Sequence, residues 1–308
     1  MKAYYCDHFA LPLPPGHRFP MAKYRLLRER LASDPAVRVD LVEPEAASWD
    51  DLRLVHAALY LDAVRVGGLS PDLQRRIGFP WSPAMVERAR RSVGGTIAAA
   101  RSALADGVAV NLAGGTHHAF ADRGEGYCVF NDVAVAARVL QRDAAVRRVA
   151  VVDCDVHQGN GTAAIFRHDP DVFTFSIHGE KNFPFRKEAS DLDVTLPDGT
   201  GDAEYLAALG HGLDEVFARP RPDVVFYVAG ADPYEGDRLG RLAVSVGGLM
   251  ERDAMVLGRC RRAGIPVAVS MGGGYAPDLD AIAAIHANTV REASAWARVA
   301  CADDVAHR

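Results

Sequence analysis

Aspartate and histidine alternate at Asp153, Asp155 and His157, within the run Asp153-Cys154-Asp155-Val156-His157-Gln158-Gly159-Asn160-Gly161. On extended backbone, residues two apart project to the same side, so this spacing gathers two carboxylates and an imidazole on one face. These are ligand types for zinc, and a catalytic zinc keeps about three protein ligands and an open position. Alternating Asp and His also occur at solvated strand ends, so the run needs a further ligand from elsewhere. Asp232, in Ala229-Gly230-Ala231-Asp232, can supply it. A histidine pair, His117-His118, follows Gly114-Gly115. Neighbours on extended backbone diverge, which makes two adjacent ligands to one ion awkward. General acid/base work is the preferred role, with surface decoration of a glycine turn as the alternative. Gly272-Gly273-Gly274-Tyr275 lacks the spacing and the Lys-Ser/Thr of nucleotide-binding loops. A glycine run before a tyrosine lets a phenol approach a ligand and donate to a developing oxyanion, or simply forms a turn with a half-buried ring.

Each of these groups follows a short apolar run. Residues 108–112, 149–153, 172–177, 223–229 and 266–271 have the length of buried strands, and continuous apolar runs suit a parallel sheet covered on both faces. Helical segments at 82–104, 131–146, 202–217, 247–263 and 278–299 alternate with them, and Pro83 suits a first helical turn. The alternation indicates an α/β doubly wound sheet. With no internal repeat, low-complexity tract or linker, residues 1–308 read as one domain. Ligands in such sheets bind beyond the carboxyl ends of the strands. His117-His118, Asp153 to Asn160, Ser176-Ile177-His178, Asp232 and Gly272 to Tyr275 all fall there. Residues 179–201 form the longest irregular stretch, which reads either as a functional rim or as a solvated excursion.

The chain has 308 residues, 49% hydrophobic and 24% charged, the profile of a soluble globular protein. A formal net charge of -5 argues against non-specific binding to nucleic acid or to an anionic membrane. No stretch is apolar for long enough to span a bilayer, and the first residues lack the apolar run of a secretory signal. The five cysteines (Cys6, Cys128, Cys154, Cys260, Cys301) are scattered and form no CxxC pair. Neither a disulfide framework nor a thiolate zinc site is indicated, and a cytoplasmic location is the expectation.

The segments GGTHHAF, GYCVFND, DCDVHQGNGT, GADPYEGDRLG and GGGY stand in this order. Together they resemble the histone deacetylases and their bacterial relatives, over nearly the whole chain from LPPGHRFP to Tyr275 and the helix beyond it. HQGNGT and EGDRLGRLAVS are most similar to the class IV branch and related bacterial proteins. The resemblance implies a single-domain arginase/deacetylase α/β fold, with an eight-stranded, mainly parallel sheet flanked by helices. It also implies zinc-dependent hydrolysis of Nε-acyl-lysine amides. By residue, it implies zinc at Asp155, His157 and Asp232, and His117 and His118 around the attacking water, with His118 as base and acid. Asp153 would orient His117, Asn160 would partner His118, and Tyr275 would stabilise the oxyanion. Tyr127 and Phe183 would wall an acyl-lysine tunnel, and the Gly126 carbonyl would accept from the substrate amide. A structural potassium ion would sit on Asp153, Asp155, His157, Ser176 and the Ile177 backbone, and a second on Phe166, Asp169 and Val172.

Four departures from the family pattern shape the expectation. Asn160 replaces the aspartate of class I enzymes, Gln158 replaces a histidine, and Tyr127 replaces the commoner tunnel phenylalanine. Leu239 lies near the position of the glutamate gatekeeper of polyamine deacetylases, and an apolar residue there disfavours a cationic polyamine. The expected partner is an acyl-lysine peptide or protein, or a small acylated amine. Acetylpolyamines and long-chain fatty-acyl-lysines are the alternative substrates, since all need the same machinery. A binuclear manganese ureohydrolase would need further carboxylates. Gln158-Gly159 follow His157 and Pro233-Tyr234 follow Asp232, so these are missing. A catalytically silent acyl-binding protein has against it that every expected catalytic position is filled.

Overall fold

The computed structural model describes residues 1–219 and 221–306, with 297–306 described by backbone alone. Strands β1 (Lys2–Tyr4), β2 (Asp40–Val42), β3 (Val108–Asn111), β4 (Val149–Asp153), β5 (Val172–Gly179), β6 (Leu192–Leu196), β7 (Val224–Gly230) and β8 (Val267–Gly272) form one sheet in the order β2-β1-β3-β8-β7-β4-β5-β6. Every pairing is parallel. The helices are α1 (Lys23–Ser33), α2 (Trp49–Arg53), α3 (Ala58–Val66), α4 (Pro71–Ile77), α5 (Pro83–Asp106), α6 (Asp132–Arg142), α7 (Asn160–Phe166), α8 (Asp202–Ala218), α9 (Val246–Ala263) and α10 (Leu279–Ala306).

The apolar runs become central strands because each buries both faces. Along β7, Val225, Tyr227 and Ala229 enter one core with Leu209 of α8 and Val256 of α9, while Val224, Phe226 and Val228 enter the opposite core. The second core also takes Ile97 of α5 and Val135 of α6. That period-two division is what a sheet sandwiched between helix layers demands. From β3 the chain passes over two positions to β4 and continues outward to β6, then returns so that β7 and β8 fill the gap between β3 and β4. A crevice therefore opens beyond the carboxyl ends of β3, β8, β7 and β4.

The five expected central strands are present with ends shifted by a few residues at most. Three further strands complete the expected eight without a strand signal of their own in the sequence: β2 and β6 at the two edges, and β1 beside β2. β1 and β2 are three residues long, and β6 lies inside the 179–201 stretch that the sequence presents as irregular. β6 is mostly half-exposed, so its residues carry no continuous apolar signal. The helix expected to reach 146 stops at Arg142, because Ala144 adopts φ 53° and turns the chain toward β4. Pro83 does open α5, with the Ser82 hydroxyl accepting from the Met85 amide at 3.1 Å. Helices α1 to α4 and α7 had no counterpart in the sequence reading. Among the described residues, no helix is long and apolar enough to cross a membrane.

Candidate active site

At the end of β4 the chain leaves extended geometry at Asp153 and enters successive bends. The Asp153 Oδ1 accepts from the Asp155 amide at 3.1 Å, and the Asp155 Oδ1 accepts from the His157 amide at 3.0 Å. Side chain–backbone turns of this kind, not strand alternation, set the spacing. Asp153 turns toward His117, whose Nδ1 donates to its Oδ2 at 2.6 Å. Asp155 and His157 turn instead toward Asp232 at the end of β7.

The His157 Nδ1 lies 2.9 Å from Asp155 Oδ1 and 3.1 Å from Asp232 Oδ2. All three residues are buried, with ligand atoms within 4.8 Å of one another. Asp232 Oδ2 accepts no well-aligned hydrogen bond and has His157 Nδ1 as its close polar neighbour, while its Oδ1 accepts from the Val156 amide at 2.9 Å. A buried carboxylate oxygen so poorly satisfied carries a desolvation cost, and a cation relieves it. Donor atoms about 3.3 Å apart would match the edges of a tetrahedron with bonds of about 2 Å. The trio therefore fits a small N/O-liganded ion such as zinc. Burial opposes charge on His157, but Asp155 and Asp232 outweigh it and raise its pKa to about 10. Burial and the nearby Asp155 charge push the Asp232 carboxyl up to about 7. In the absence of a metal, protons compensate the buried negative charge. Space for the ligands comes from Gly273, with φ +53°: a Cβ there would stand 2.1 Å from Asp232 Oδ2.

The two histidines face this trio. His118 Nδ1 is 2.7 Å from Asn160 Oδ1, and Asn160 Nδ2 donates to Glu125 Oε1 at 2.7 Å. Glu125 accepts, so the amide orientation is fixed, and His118 must carry its proton on Nδ1. Its Nε2 is left as the basic nitrogen. Burial, reinforced by His117 and His157, pushes the His118 pKa well below the usual imidazole range. Burial would lower His117 as well, but Asp153 and Asp155 outweigh it and hold it up to about 9. The basicities of two rings 4.2 Å apart are thus pushed in opposite directions.

Tyr275 ends the glycine run after β8. Its amide donates to Asp237 Oδ2 at 2.6 Å, and its carbonyl accepts from Arg238 Nε at 3.1 Å. Lys23 Nζ, buried on α1, donates to the Gly273 and Gly274 carbonyls. The backbone is clamped while the phenol hydroxyl makes no hydrogen bond among the described residues. Burial and the Asp155 and Asp232 charges push its pKa well above 10, so it stays a proton donor.

Tyr127, Gly126, Phe183 and Leu239 line one cavity with His118, His157 and Tyr275. Phe183 sets its ring edge-on to His118, centroids 4.9 Å apart. Tyr127 is held at φ 67°, unusual for a non-glycine residue, and its N–H donates to the Ile77 carbonyl at 2.8 Å. Behind Gly115, Tyr127 and Tyr275 lies a second cavity, lined by apolar groups including Leu11, Phe19, Met85 and Phe130. Ser176 Oγ bonds His178 Nδ1 at 2.9 Å, and Asp169 is ion-paired with Arg138 at 2.5 Å. Cys6, Cys128, Cys154 and Cys260 are buried free thiols, and Cys301 falls outside the described side chains.

Several further groups, absent from the residues expected at the site, support it. Asp132, fully buried at the start of α6, accepts from the Gly115 amide (3.1 Å), the Thr116 amide (2.7 Å) and the Thr96 hydroxyl (2.6 Å), fixing the turn that carries the histidines. Lys23, Glu125 and Asp237 act similarly on neighbouring segments. A polar residue inside a motif, without an evident partner, was the available signal for Asp132 and Asp237.

A profile described as the histone deacetylase domain matches residues 17–293. An uncharacterized protein of Picosynechococcus is 48% identical over 276 residues, covering 89% of this chain and 92% of that protein. Histone deacetylase 2 of Arabidopsis thaliana is 32% identical over 277 residues, covering 84% of this chain and 70% of its own length. The crystal structure of a histone deacetylase homologue from Aquifex aeolicus superimposes with a TM-score of 0.80 at 25% identity, covering 96% of this chain and 84% of the other. Sequence and sheet agree: the chain has the arginase/deacetylase fold and belongs to the histone deacetylase family, whose members are deacetylases and amidohydrolases.

Proposed function

We propose that the protein is a zinc-dependent amidohydrolase that cleaves Nε-acyl-lysine amides to lysine and a carboxylate. One observation carries this reading: His157, a member of the buried Asp155–His157–Asp232 trio, lines one cavity together with His118, whose Nε2 is basic, and Tyr275, whose hydroxyl is unbonded. Asp155, His157 and Asp232 would hold the ion, which when bound supplies Lewis acidity at the acyl carbonyl and acidifies water. His118 Nε2 takes the proton of the attacking water and returns it to the leaving amine. Tyr275 donates to the developing oxyanion, and its clamped backbone limits the reorganisation this requires. His117 stays protonated against Asp153 and adds positive charge beside the reacting centre. The Gly126 carbonyl would accept the substrate amide N–H, while Tyr127, Phe183 and Leu239 exclude water around the acyl-lysine stem. Potassium at Asp153, Asp155, His157, Ser176 and Ile177 would be structural, as would a second ion near Phe166, Asp169 and Val172.

A second reading, a long-chain fatty-acyl-lysine, requires the cavity beside Tyr275 to widen, since its free space is about 50 Å³. The test is zinc-loaded protein with acetyl-, trifluoroacetyl- and myristoyl-lysine peptides, following amine release. Zinc-loaded protein inert on all three overturns the hydrolase reading, and strict acetyl selectivity overturns the long-chain one.

A further inference from the structure

The mouth of the catalytic cavity is basic, although the chain as a whole has 40 acidic and 35 basic residues. The cavity holding His118, His157 and Tyr275 is also lined by Arg75 and Arg76 from α4. A neighbouring depression sharing Leu239 and Tyr275 is lined by Arg18 and Arg238. All four arginines are exposed, and they come from three separate segments of the chain. Glu125 is the one carboxylate lining either cavity. It is largely buried, accepts from Asn160 and sits 3.8 Å from Arg76, so its charge is already engaged. Arg18 and Arg238 have no carboxylate partner among the described residues. Arg75 meets only Asp72, itself highly exposed.

Four guanidinium groups around an opening, of which Arg18 and Arg238 are unpaired and Arg75 and Arg76 each meet one carboxylate, give a local positive potential opposite in sign to the whole molecule. A substrate's scissile amide enters the cavity while the substituents of its carrier stay at this rim. Resting on the amidohydrolase reading above, we infer that the rim selects acyl-amine substrates bearing a carboxylate or similar anion next to the acylated side chain, and disfavours polycationic carriers. The anion has two sources, the α-carboxylate of a free acyl-lysine or acidic side chains flanking an acyl-lysine in a peptide. Arginine suits both, because its planar fork binds carboxylates in a two-point contact.

The test measures kcat/KM of zinc-loaded protein on two substrate pairs. One is Nε-acetyl-lysine against its carboxamide, the other an acetyl-lysine peptide flanked by Glu against the same peptide flanked by Lys. Exposed charge pairs are individually weak, so the four together should give about a tenfold preference for the anionic member at low salt. It should shrink toward unity by about 1 M salt. The Arg18→Ala/Arg75→Ala protein should lose most of it. The ratio within one preparation does not depend on how much protein is active. Arg238 is spared because it also holds the Tyr275 carbonyl. Preference in the first pair marks a free acyl-amino acid and in the second an acidic peptide. Equal rates in both pairs, or a preference for the cationic member, overturn the inference while leaving the hydrolase intact. If nothing is hydrolysed, calorimetric binding of the same four compounds still ranks them, and equal affinities overturn the inference independently of catalysis.

Discussion

The amide of Asn160 sets the basicity of His118, and Asn160→Asp tests this directly. In the native arrangement a neutral oxygen faces His118 Nδ1 at 2.7 Å. A carboxylate there places a unit charge about 4 Å from the imidazolium centre, worth about 4 kcal/mol at an effective dielectric constant of about 20. That corresponds to about three pH units. Glu125, 2.7 Å from the Asn160 nitrogen, loses its donor and repels the new carboxylate, cutting the gain to about one to two units. The base works only when neutral, so raising its pKa moves the acidic limb of the kcat/KM profile to higher pH. Below the new limb the variant loses about tenfold per pH unit relative to the plateau. The assay is the pH profile of zinc-loaded protein on one acyl-lysine peptide. Adding Glu125→Gln should restore the larger displacement, to about three units. An acidic limb that does not move, in a variant with full metal content, refutes His118 as the base.

Tyr275→Phe should retain metal and lose about 100- to 1000-fold in kcat, as for loss of one oxyanion donor; unchanged turnover removes the phenol from the mechanism. Asp232→Ala should lose bound zinc by elemental analysis, and stoichiometric zinc in that variant refutes the ligand assignment. His56 links stability to acid. Its Nε2 accepts from the Asn131 amide at 3.0 Å and its Nδ1 lies 3.0 Å from the Phe120 carbonyl, an arrangement that only the neutral ring satisfies. Burial lowers its pKa to about 4. The unfolded chain therefore binds the proton first, and stability present above about pH 6.5 drains away as pH falls toward 4, by about 3 kcal/mol. Urea unfolding of His56→Gln should show a correspondingly flatter pH dependence over that interval; an unchanged slope refutes it.

The central strands were legible because burial on both faces leaves a continuous apolar run, as in 224–230. The edge strands were not, since β6 is partly exposed along most of its length and its residues form no apolar run. At the site, the types and order of Asp153, Asp155, His157 and Asp232 were legible, and the turn geometry was not. Strand alternation would leave Asp153 beside the others. The observed bends send it to His117, through hydrogen bonds between atoms only two residues apart. Lys23 was invisible for another reason. It meets Gly273 across 250 positions of sequence, and a lone lysine on a short helix carries no mark of that contact.

The sheet order has a consequence for how the protein is made. The strands synthesised last, β7 and β8, occupy the centre and are flanked by strands made earlier, β3 and β4. While the chain emerges from the ribosome, β2-β1-β3 and β4-β5-β6 exist as two unjoined halves with apolar inner edges exposed. Joining them requires contacts between residues more than a hundred positions apart, such as Ala109 with Ala268, a slow and aggregation-exposed kind of closure. Biosynthesis thus postpones assembly of the catalytic crevice until Gly272 is available, and chains cut short before β7 lack both the sheet's keystone and Asp232.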